Sequence, residues 1–193
     1  MRLEEDLPSD PEIQISRIQR LNHKATAEQM PAYFPGTTTE DLPGGNGWAI
    51  DFVKMCTHSG THLDAPWHYY PTQNEAIIPG GEKAWTIDQV PLEWCIGPGV
   101  KLDFRDKPDG YKISKQDVQD YLAKINYTIK PGDIVLLNTG ADARWGKPEY
   151  LVAGAGMSAE ATLWLAEQGV HVVGTDGWSW DVPLPLEAKE FEK

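Results

Sequence analysis

The sequence is short of the features that mark several large classes of protein. It has only two cysteines among 193 residues, Cys56 and Cys95, and two thiols do not make a disulfide framework. Its apolar runs all stop well before the roughly 20 residues that a membrane-spanning helix needs. The N-terminus, MRLEEDLPSDPEIQ, lacks the basic and apolar regions of a signal peptide. We therefore expect a cytoplasmic protein with no membrane partner.

Basic residues are also in the minority. The chain has 17 lysines and arginines against 29 aspartates and glutamates, which gives a formal net charge of −12. A surface of this charge repels phosphate backbones, so nucleic acid is not an expected partner. The hydrophobic fraction of 40 % and the charged fraction of 24 % fit a folded soluble domain and argue against a disordered chain.

Patterns along the chain predict one α/β domain. Residues 1–14 are polar and predict a mobile tail, and residues 15–193 form a single domain large enough to bury a core. Helices are predicted at 114–125 and 158–169, where an apolar stripe at helical spacing follows a serine N-cap.

The remaining segments predict strands and loops. Apolar runs at 134–137 and 170–177 predict buried strands, and the alternating segment 48–56 predicts a further strand. Residues 15–23 suit either a strand or a short helix, and the segment 30–47, rich in proline, glycine and threonine, predicts a long loop. The order of strand, helix and strand in the second half indicates parallel pairing.

Histidine is scarce as well, and its distribution is uneven. Three of the five histidines lie in the segment HSGTHLDAPWH, which runs from His58 to His68 and also contains Asp64. In a straight strand His58 and His62 would lie about 13 Å apart. Both imidazoles could not then reach one metal ion at about 2.0–2.1 Å.

The segment therefore needs a bend. Gly60 and Pro66 disfavour a helix through it, although a helix would bring positions four apart together. We predict a sharp turn at residues 59–61, where a glycine permits unusual backbone angles. After the turn, His62 and Asp64 are two residues apart and point the same way.

Two imidazoles and a carboxylate form a mixed nitrogen and oxygen donor set. Such a set suits divalent zinc, manganese or iron, and three protein ligands leave positions for water and substrate. His68 would then lie near the metal as a candidate proton shuttle. A single histidine on a half-buried strand is more often a structural residue with one hydrogen bond. Spacing alone gives the two interpretations about equal weight.

The same segment carries a more specific resemblance. HSGTHLDAPWH matches the pattern H-x-G-T-H-x-D-x-P-x-H, and the chain resembles the cyclase family of metal-dependent hydrolases, which includes kynurenine formamidases and isatin hydrolases. Segments 33–36 (YFPG), 131–140 (PGDIVLLNTG) and 170–181 (VHVVGTDGWSWD) resemble further parts of the family pattern.

The resemblance implies an amidohydrolase that acts on cyclic or N-formyl amides of small, often aromatic compounds. By that resemblance His58, His62 and Asp64 are the metal ligands, and His68 is the acid/base residue. The implied cofactor is zinc or manganese, with one or two ions. The implied fold is α/β, a mixed β-sheet or small barrel flanked by helices (swivelling β/β/α-like), usually in a homodimer or larger oligomer.

Two departures from the family pattern bear on the site. The segment RLNH places Arg20 and Asn22 where the family commonly has Asp and Ser, while His23 matches the family histidine. Family members also carry a further segment with another ligand, a His, Glu or Gln, after the part that matches Asp181. We therefore expect the printed chain to stop before that segment, which leaves the fourth ligand and the number of ions open.

Aromatic substrates need a flat apolar wall. Phe34, Trp48 and Trp67 flank the histidine segment or lie in it, and we predict that they contact substrate. Each of them taken singly is more often a core residue, because aromatic side chains bury large areas.

Four other residues have ordinary interpretations. Cys56 is expected to be a small buried hydrophobe and His171 a structural residue. Asp176 and Asp181 are candidates either for supporting the ligand histidines or for capping a turn.

Two other functions stay open on the sequence. The same metal site would serve a lactone hydrolase or a ring-closing cyclase. A protein that only binds a metal or ligand is the second alternative, and the intact histidine segment argues against it.

Overall fold

The computed structural model describes residues 11–75 and 78–190. The chain divides into two compact units, one ending at His62 and the other beginning at Leu63. The amino-acid composition does not change at this boundary, so the sequence predicts a single domain over residues 15–193. The predicted tail falls mostly on residues 1–10, outside the described residues, and its end forms a 3₁₀ turn at Glu12–Gln14.

The first unit is built on an antiparallel pair of strands. Strand β1 (Arg17–Leu21) pairs with β2 (Ile50–Lys54). The strand predicted at 48–56 is confirmed, and of the two structures left open for residues 15–23, a strand forms. Two short helices follow β1, α1 (His23–Ala27) and α2 (Met30–Tyr33).

The predicted long loop is more ordered than its composition suggests. Besides α2, it contains 3₁₀ turns at Thr39–Asp41 and Pro43–Gly45. Each of these elements is very short, and local features start it. A proline in the first turn suits both α2 and the 3₁₀ turn at Pro43–Gly45. Thr38 caps the 3₁₀ turn at Thr39–Asp41.

Hydrogen bonds hold the first unit together as much as its small core does. Every residue of β2 is exposed, and the buried apolar residues include Ala27 and Met30. Buried hydroxyls link distant segments: Ser59 Oγ donates to the carbonyl of Gln14 at 2.6 Å, and Thr26 Oγ1 donates to the carbonyl of Trp48. These bonds fix the segments on either side of β2.

The second unit begins with a helix and a strand pair. Helix α3 (Pro66–Tyr69) leads into β3 (Thr72–Gln73), which pairs antiparallel with β4 (Glu82–Lys83). In chain order the elements that follow are β5 (Gly99–Asp103), β6 (Lys112–Ile113), α4 (Lys115–Lys124), β7 (Ile134–Asn138), β8 (Gly156–Met157), α5 (Ala159–Glu167), β9 (Val172–Thr175) and α6 (Leu184–Glu187).

A parallel sheet organises the core of the second unit. Strand β7 lies between β5 and β9, and all three run parallel, as the sequence predicts. Helices α4 and α5 also form as predicted, because Ser114 and Ser158 accept hydrogen bonds from the third backbone N–H of each helix. The core cluster joins the sheet and the two helices; its most buried members are Leu102, Ile113, Val118, Val135, Leu137, Met157, Ala161 and Leu165.

Neither of the two predicted buried strands is buried on both faces. In β7, Val135 and Leu137 are 0 % and 2 % exposed, whereas Leu136 between them is 45 % exposed. An apolar run therefore did not imply burial on both faces. All four residues of β9 are half-buried.

The fold class is mixed α/β, with parallel and antiparallel strand pairs flanked by helices. Within the described residues the strands form one three-stranded and three two-stranded sheets, so the small barrel is not confirmed. Among the same residues, every helix is too short or too polar to cross a bilayer.

Candidate metal and catalytic site

The histidine segment turns as the sequence predicts. After β2 the chain bends through residues 57–61, and Gly60 has a φ of +70°, which a glycine adopts without strain. The bend brings Nδ1 of His58 to 3.1 Å from Nε2 of His62, with the two rings nearly perpendicular at 86°. Two residues that a straight strand would hold far apart thus face each other in the first unit.

The protonation of His62 suits a ligand. Its Nδ1 lies 2.8 Å from the carbonyl oxygen of Gly60, and a carbonyl only accepts, so Nδ1 carries the proton and Nε2 is the basic nitrogen. Metal-binding histidines usually donate their second ring nitrogen in this way. The two nitrogens, 3.1 Å apart, are close enough to act as neighbouring donors to one divalent ion. The histidine pair therefore fits a divalent metal.

Asp64 and His68 lie in the second unit. Ala65 is extended and precedes α3, and Pro66 occupies the first turn of that helix. No helix runs through residues 58–65, as predicted, and Pro66 starts the short helix that follows, because its fixed φ suits a first helical turn. Asp64 and His68 offer ligand atoms that lie within 4.8 Å of each other, Asp64 half-buried and His68 exposed.

A tyrosine that was not predicted as a site residue lies near Asp64 and His68. The ring of Tyr69 lies edge-on to that of His68, with the ring centroids 5.0 Å apart. Partial desolvation raises the pKa of Tyr69, and the negative charges of Asp64 and Asp181 raise it further. Desolvation, aided by the charge of Glu187, also raises the pKa of Asp181. The late segment WSWD therefore shares the electrostatic environment of Asp64, a proximity that no local sequence pattern signals.

Asp176 caps a turn, one of its two predicted roles. Its carboxylate accepts hydrogen bonds from the backbone N–H and hydroxyl of Thr139, from the backbone N–H of Gly140, and from the side-chain amide of Asn138. Although desolvation opposes it, this set of donors lowers the pKa of Asp176 below its usual value. Asp176 thereby fastens the end of β9 to the turn after β7.

The predicted substrate contacts are all half-exposed aromatics. Phe34, Trp48 and Trp67 are 49 %, 51 % and 48 % exposed, so part of each side chain is accessible to solvent. Trp48 lies 5.7 Å from the ring of Tyr33, and Lys83 Nζ lies 5.6 Å from the ring centroid of Trp67. Their contact with substrate stays a prediction.

The residues of the RLNH segment have clear local roles. Asn22 caps α1 by accepting hydrogen bonds from the N–H groups of Lys24 and Ala25, a role that serine also fills. Nδ1 of His23 lies 2.9 Å from the carbonyl oxygen of Gly47. The asparagine is therefore a conservative replacement, and His23 fixes the loop that precedes β2.

Two further sequence interpretations concern Cys56 and His171. Cys56 is half-buried, which suits a structural residue. His171 was expected inside an apolar strand; it is exposed and lies just before β9, where its ring stacks on Trp94 with the centroids 4.1 Å apart.

A separate cleft of about 490 Å³ lies in the second unit and contains none of the motif residues. Asp103, Arg105, Asp106, Tyr121 and Lys124 line it. Bonds from the Arg105 guanidinium at 2.8 and 2.6 Å lower the pKa of Asp103 to about 2, so the two side chains form an ion pair in this cleft.

Known proteins resemble this chain along most of its length. It is 26 % identical over 141 residues to the kynurenine formamidase of Bacillus cereus (strain ATCC 10987 / NRS 248), a match that covers 72 % of this chain and 55 % of that protein. The chain thus spans about half the length of this curated relative.

Solved structures share the fold. Isatin hydrolase A from Ralstonia solanacearum superposes with a TM-score of 0.67 at 22 % identity, covering 94 % of this chain and 66 % of that chain. A protein described as a potential metal-dependent hydrolase with cyclase activity gives a TM-score of 0.53 at 22 % identity, covering 100 % of this chain and 74 % of that chain.

The family model described as "Putative cyclase" matches residues 19–182, which include the whole histidine segment. Because this match spans most of the chain and the fold agrees, the protein belongs to the Putative cyclase family.

Proposed function

We propose that the protein is a metal-dependent hydrolase that cleaves an amide bond of a small, aromatic compound, either a cyclic amide or an N-formyl amide. The convergence of His58 and His62 to 3.1 Å carries this proposal, because it gives the chain a preformed pair of metal-binding nitrogens. The formamidase and isatin hydrolase activities named for its relatives supply the substrate class.

The proposed ligands are His58, His62 and Asp64, and the proposed ion is zinc or manganese, with one or two ions bound. Only Leu63 separates His62 from Asp64 in the chain. The donor set of two imidazoles and one carboxylate suits these metals. One solved relative is described as a potential metal-dependent hydrolase. A divalent metal held there would polarise the amide carbonyl and lower the pKa of a bound water.

The chain's own residues then move the proton and hold the substrate. His68 accepts a proton from the attacking water and delivers the same proton to the leaving nitrogen, which completes amide cleavage. Its exposed position on α3 leaves the imidazole accessible to both groups. Phe34, Trp48 and Trp67 provide the aromatic wall, since each has about half of its surface exposed.

The first test compares metal content and hydrolysis in the wild type and in His62→Ala. We expect the wild type to contain one or two equivalents of zinc or manganese and the variant to have lost them together with activity. His171→Ala is the control for metal content alone, because it removes an imidazole outside the proposed ligand set and is expected to keep its metal. Wild-type protein that neither contains nor takes up zinc or manganese would overturn the proposal.

The second test separates the acid/base role of His68 from ligation. His68→Ala is expected to lower turnover by about 10²–10⁴-fold with unchanged metal content. Loss of metal in this variant would identify His68 as a ligand, which its closeness to Asp64 makes a definite alternative.

The substrate panel should include an N-formyl arylamine, a cyclic aromatic amide and an aromatic lactone. Faster cleavage of the lactone would assign the protein to the lactone hydrolases. The homo-oligomeric state and the cytoplasmic location stay predictions.

A further inference from the structure

The helix that carries His68 is too short to hold itself in place. Helix α3 comprises four residues, and its backbone bonds include His68 N–H to the carbonyl of Ala65 at 2.9 Å and Tyr70 N–H to that of Pro66 at 3.2 Å. Helices of this length are not stable on their own in water. Other parts of the second unit must therefore set the position of the His68 side chain.

Residues 82–85, which we call the bracket, form hydrogen bonds with α3 and with the residues that follow it. The backbone N–H of Trp67 donates to the carbonyl of Trp85, and that of Ala84 donates to the carbonyl of Pro71, both at 3.0 Å. The side-chain carbonyl of Gln73 in β3 accepts the N–H of Trp85 at 3.2 Å. Ala84 is completely buried, so the bracket is anchored where it meets the end of α3.

Three rings connect the bracket to the central sheet. The ring of Trp85 lies 5.6 Å from that of Trp94, which belongs to a 3₁₀ turn at Leu92–Cys95. Trp94 in turn stacks on His171 with an interplanar angle of 8° and the centroids 4.1 Å apart. We call these three rings the aromatic ladder. His171 directly precedes β9, so the ladder runs from the bracket to an edge strand of the parallel sheet.

We propose that the aromatic ladder is the positioning device for His68, with Trp85, Trp94 and His171 as its positioning residues. The proposal rests on the proposed function, since it assigns these rings to the acid/base step. The parallel sheet forms part of the core of the second unit, and the ladder links that core through the bracket to a helix too short to be stable on its own. A proton-transfer residue loses efficiency when it moves by a fraction of an ångström, so a loosened ladder lowers turnover without removing any reacting group.

The test removes the far end of the ladder. His171→Ala eliminates the stack on Trp94, and we expect kcat to fall by about 10- to 100-fold with KM and metal content unchanged. His171→Phe restores a flat ring at the same position and should recover most of the lost kcat. Trp145→Ala is the matched control, because Trp145 makes a comparable ring contact with Tyr150 at 5.2 Å that does not reach the bracket.

A second readout does not depend on activity. Hydrogen exchange at the amides of Trp67 and Ala84 reports the two bonds that link the bracket to α3 and to Pro71, which follows α3. We expect faster exchange at both amides in His171→Ala, wild-type rates in Trp145→Ala, and near wild-type rates in His171→Phe.

The outcomes separate this inference from the proposed function. If the wild type hydrolyses no substrate in the panel, the proposed function is overturned. The exchange rates would still decide whether the ladder holds α3 in place. An active wild type with unchanged kcat and exchange in His171→Ala would overturn the ladder alone. A loss of kcat that His171→Phe fails to rescue would also overturn it, because an aromatic stack would then not be the cause.

Discussion

Replacing Asp176 by alanine tests how much the loops after β7 and β9 depend on one carboxylate. That group accepts four hydrogen bonds of 2.7–3.0 Å from Asn138, Thr139 and Gly140. A hydrogen bond to a charged acceptor contributes about 1.5–3 kcal/mol, but water replaces part of a partly buried set and the bonds are not additive. We therefore expect Asp176→Ala to lower the free energy of unfolding by about 3 kcal/mol.

Urea denaturation is the suitable assay, with Asp106→Ala as the control. Asp106 is exposed, and we expect its variant to differ from the wild type by less than about 0.5 kcal/mol. A loss of 3 kcal/mol corresponds to a fall in melting temperature of about 6–12 °C for a chain of this size. A change below about 1 kcal/mol in Asp176→Ala would refute the inference that its bonds to the turn after β7 stabilise the fold.

The pH dependence gives the same prediction a second check. Because the fold lowers the pKa of Asp176 below the usual 3.8, its contribution is complete above that pH and is lost as the pH falls through the folded pKa. The stability difference between the wild type and Asp176→Ala should thus be constant at neutral pH and shrink below about pH 4. A difference that did not change in that range would show that the carboxylate charge is not the cause.

Two further substitutions test the histidine turn and the core. Gly60→Ala should weaken zinc binding in a metal titration and cost roughly 1–2 kcal/mol of stability, because φ is +70° at this position and the strained turn would separate His58 from His62. Leu102→Ala should lower the free energy of unfolding by about 2–5 kcal/mol in urea, because the side chain is fully buried in the sheet.

Each of these substitutions has a control in the same unit. Gly36 has a φ of +91° and open space around it, so Gly36→Ala should cost similar stability and leave zinc binding intact. Equal loss of zinc binding in both glycine variants would show that general strain is responsible. Leu163 is 65 % exposed, and Leu163→Ala should change stability little. Similar losses for the two leucine variants would contradict the assignment of the core.

Features that depend on near neighbours in the chain were predictable from the amino-acid sequence. Helices α4 and α5 were predictable because the N-cap and the apolar stripe of each lie within a few residues of one another. The bend at Gly60 was predictable because two histidines four residues apart have to meet and glycine permits the turn. The donor set of the proposed metal site follows from the same short segment.

Contacts between residues far apart in the chain were not predictable in this way. Asp176 accepts a hydrogen bond from Thr139, and Trp94 stacks on His171. The charges of Asp64 and Asp181 both act on Tyr69. Leu136 is exposed although it lies in an apolar run, since burial depends on what covers each face of a sheet. The spacing of residues along the chain predicts local geometry, whereas these contacts exist only because packing of the whole unit brings separate segments together.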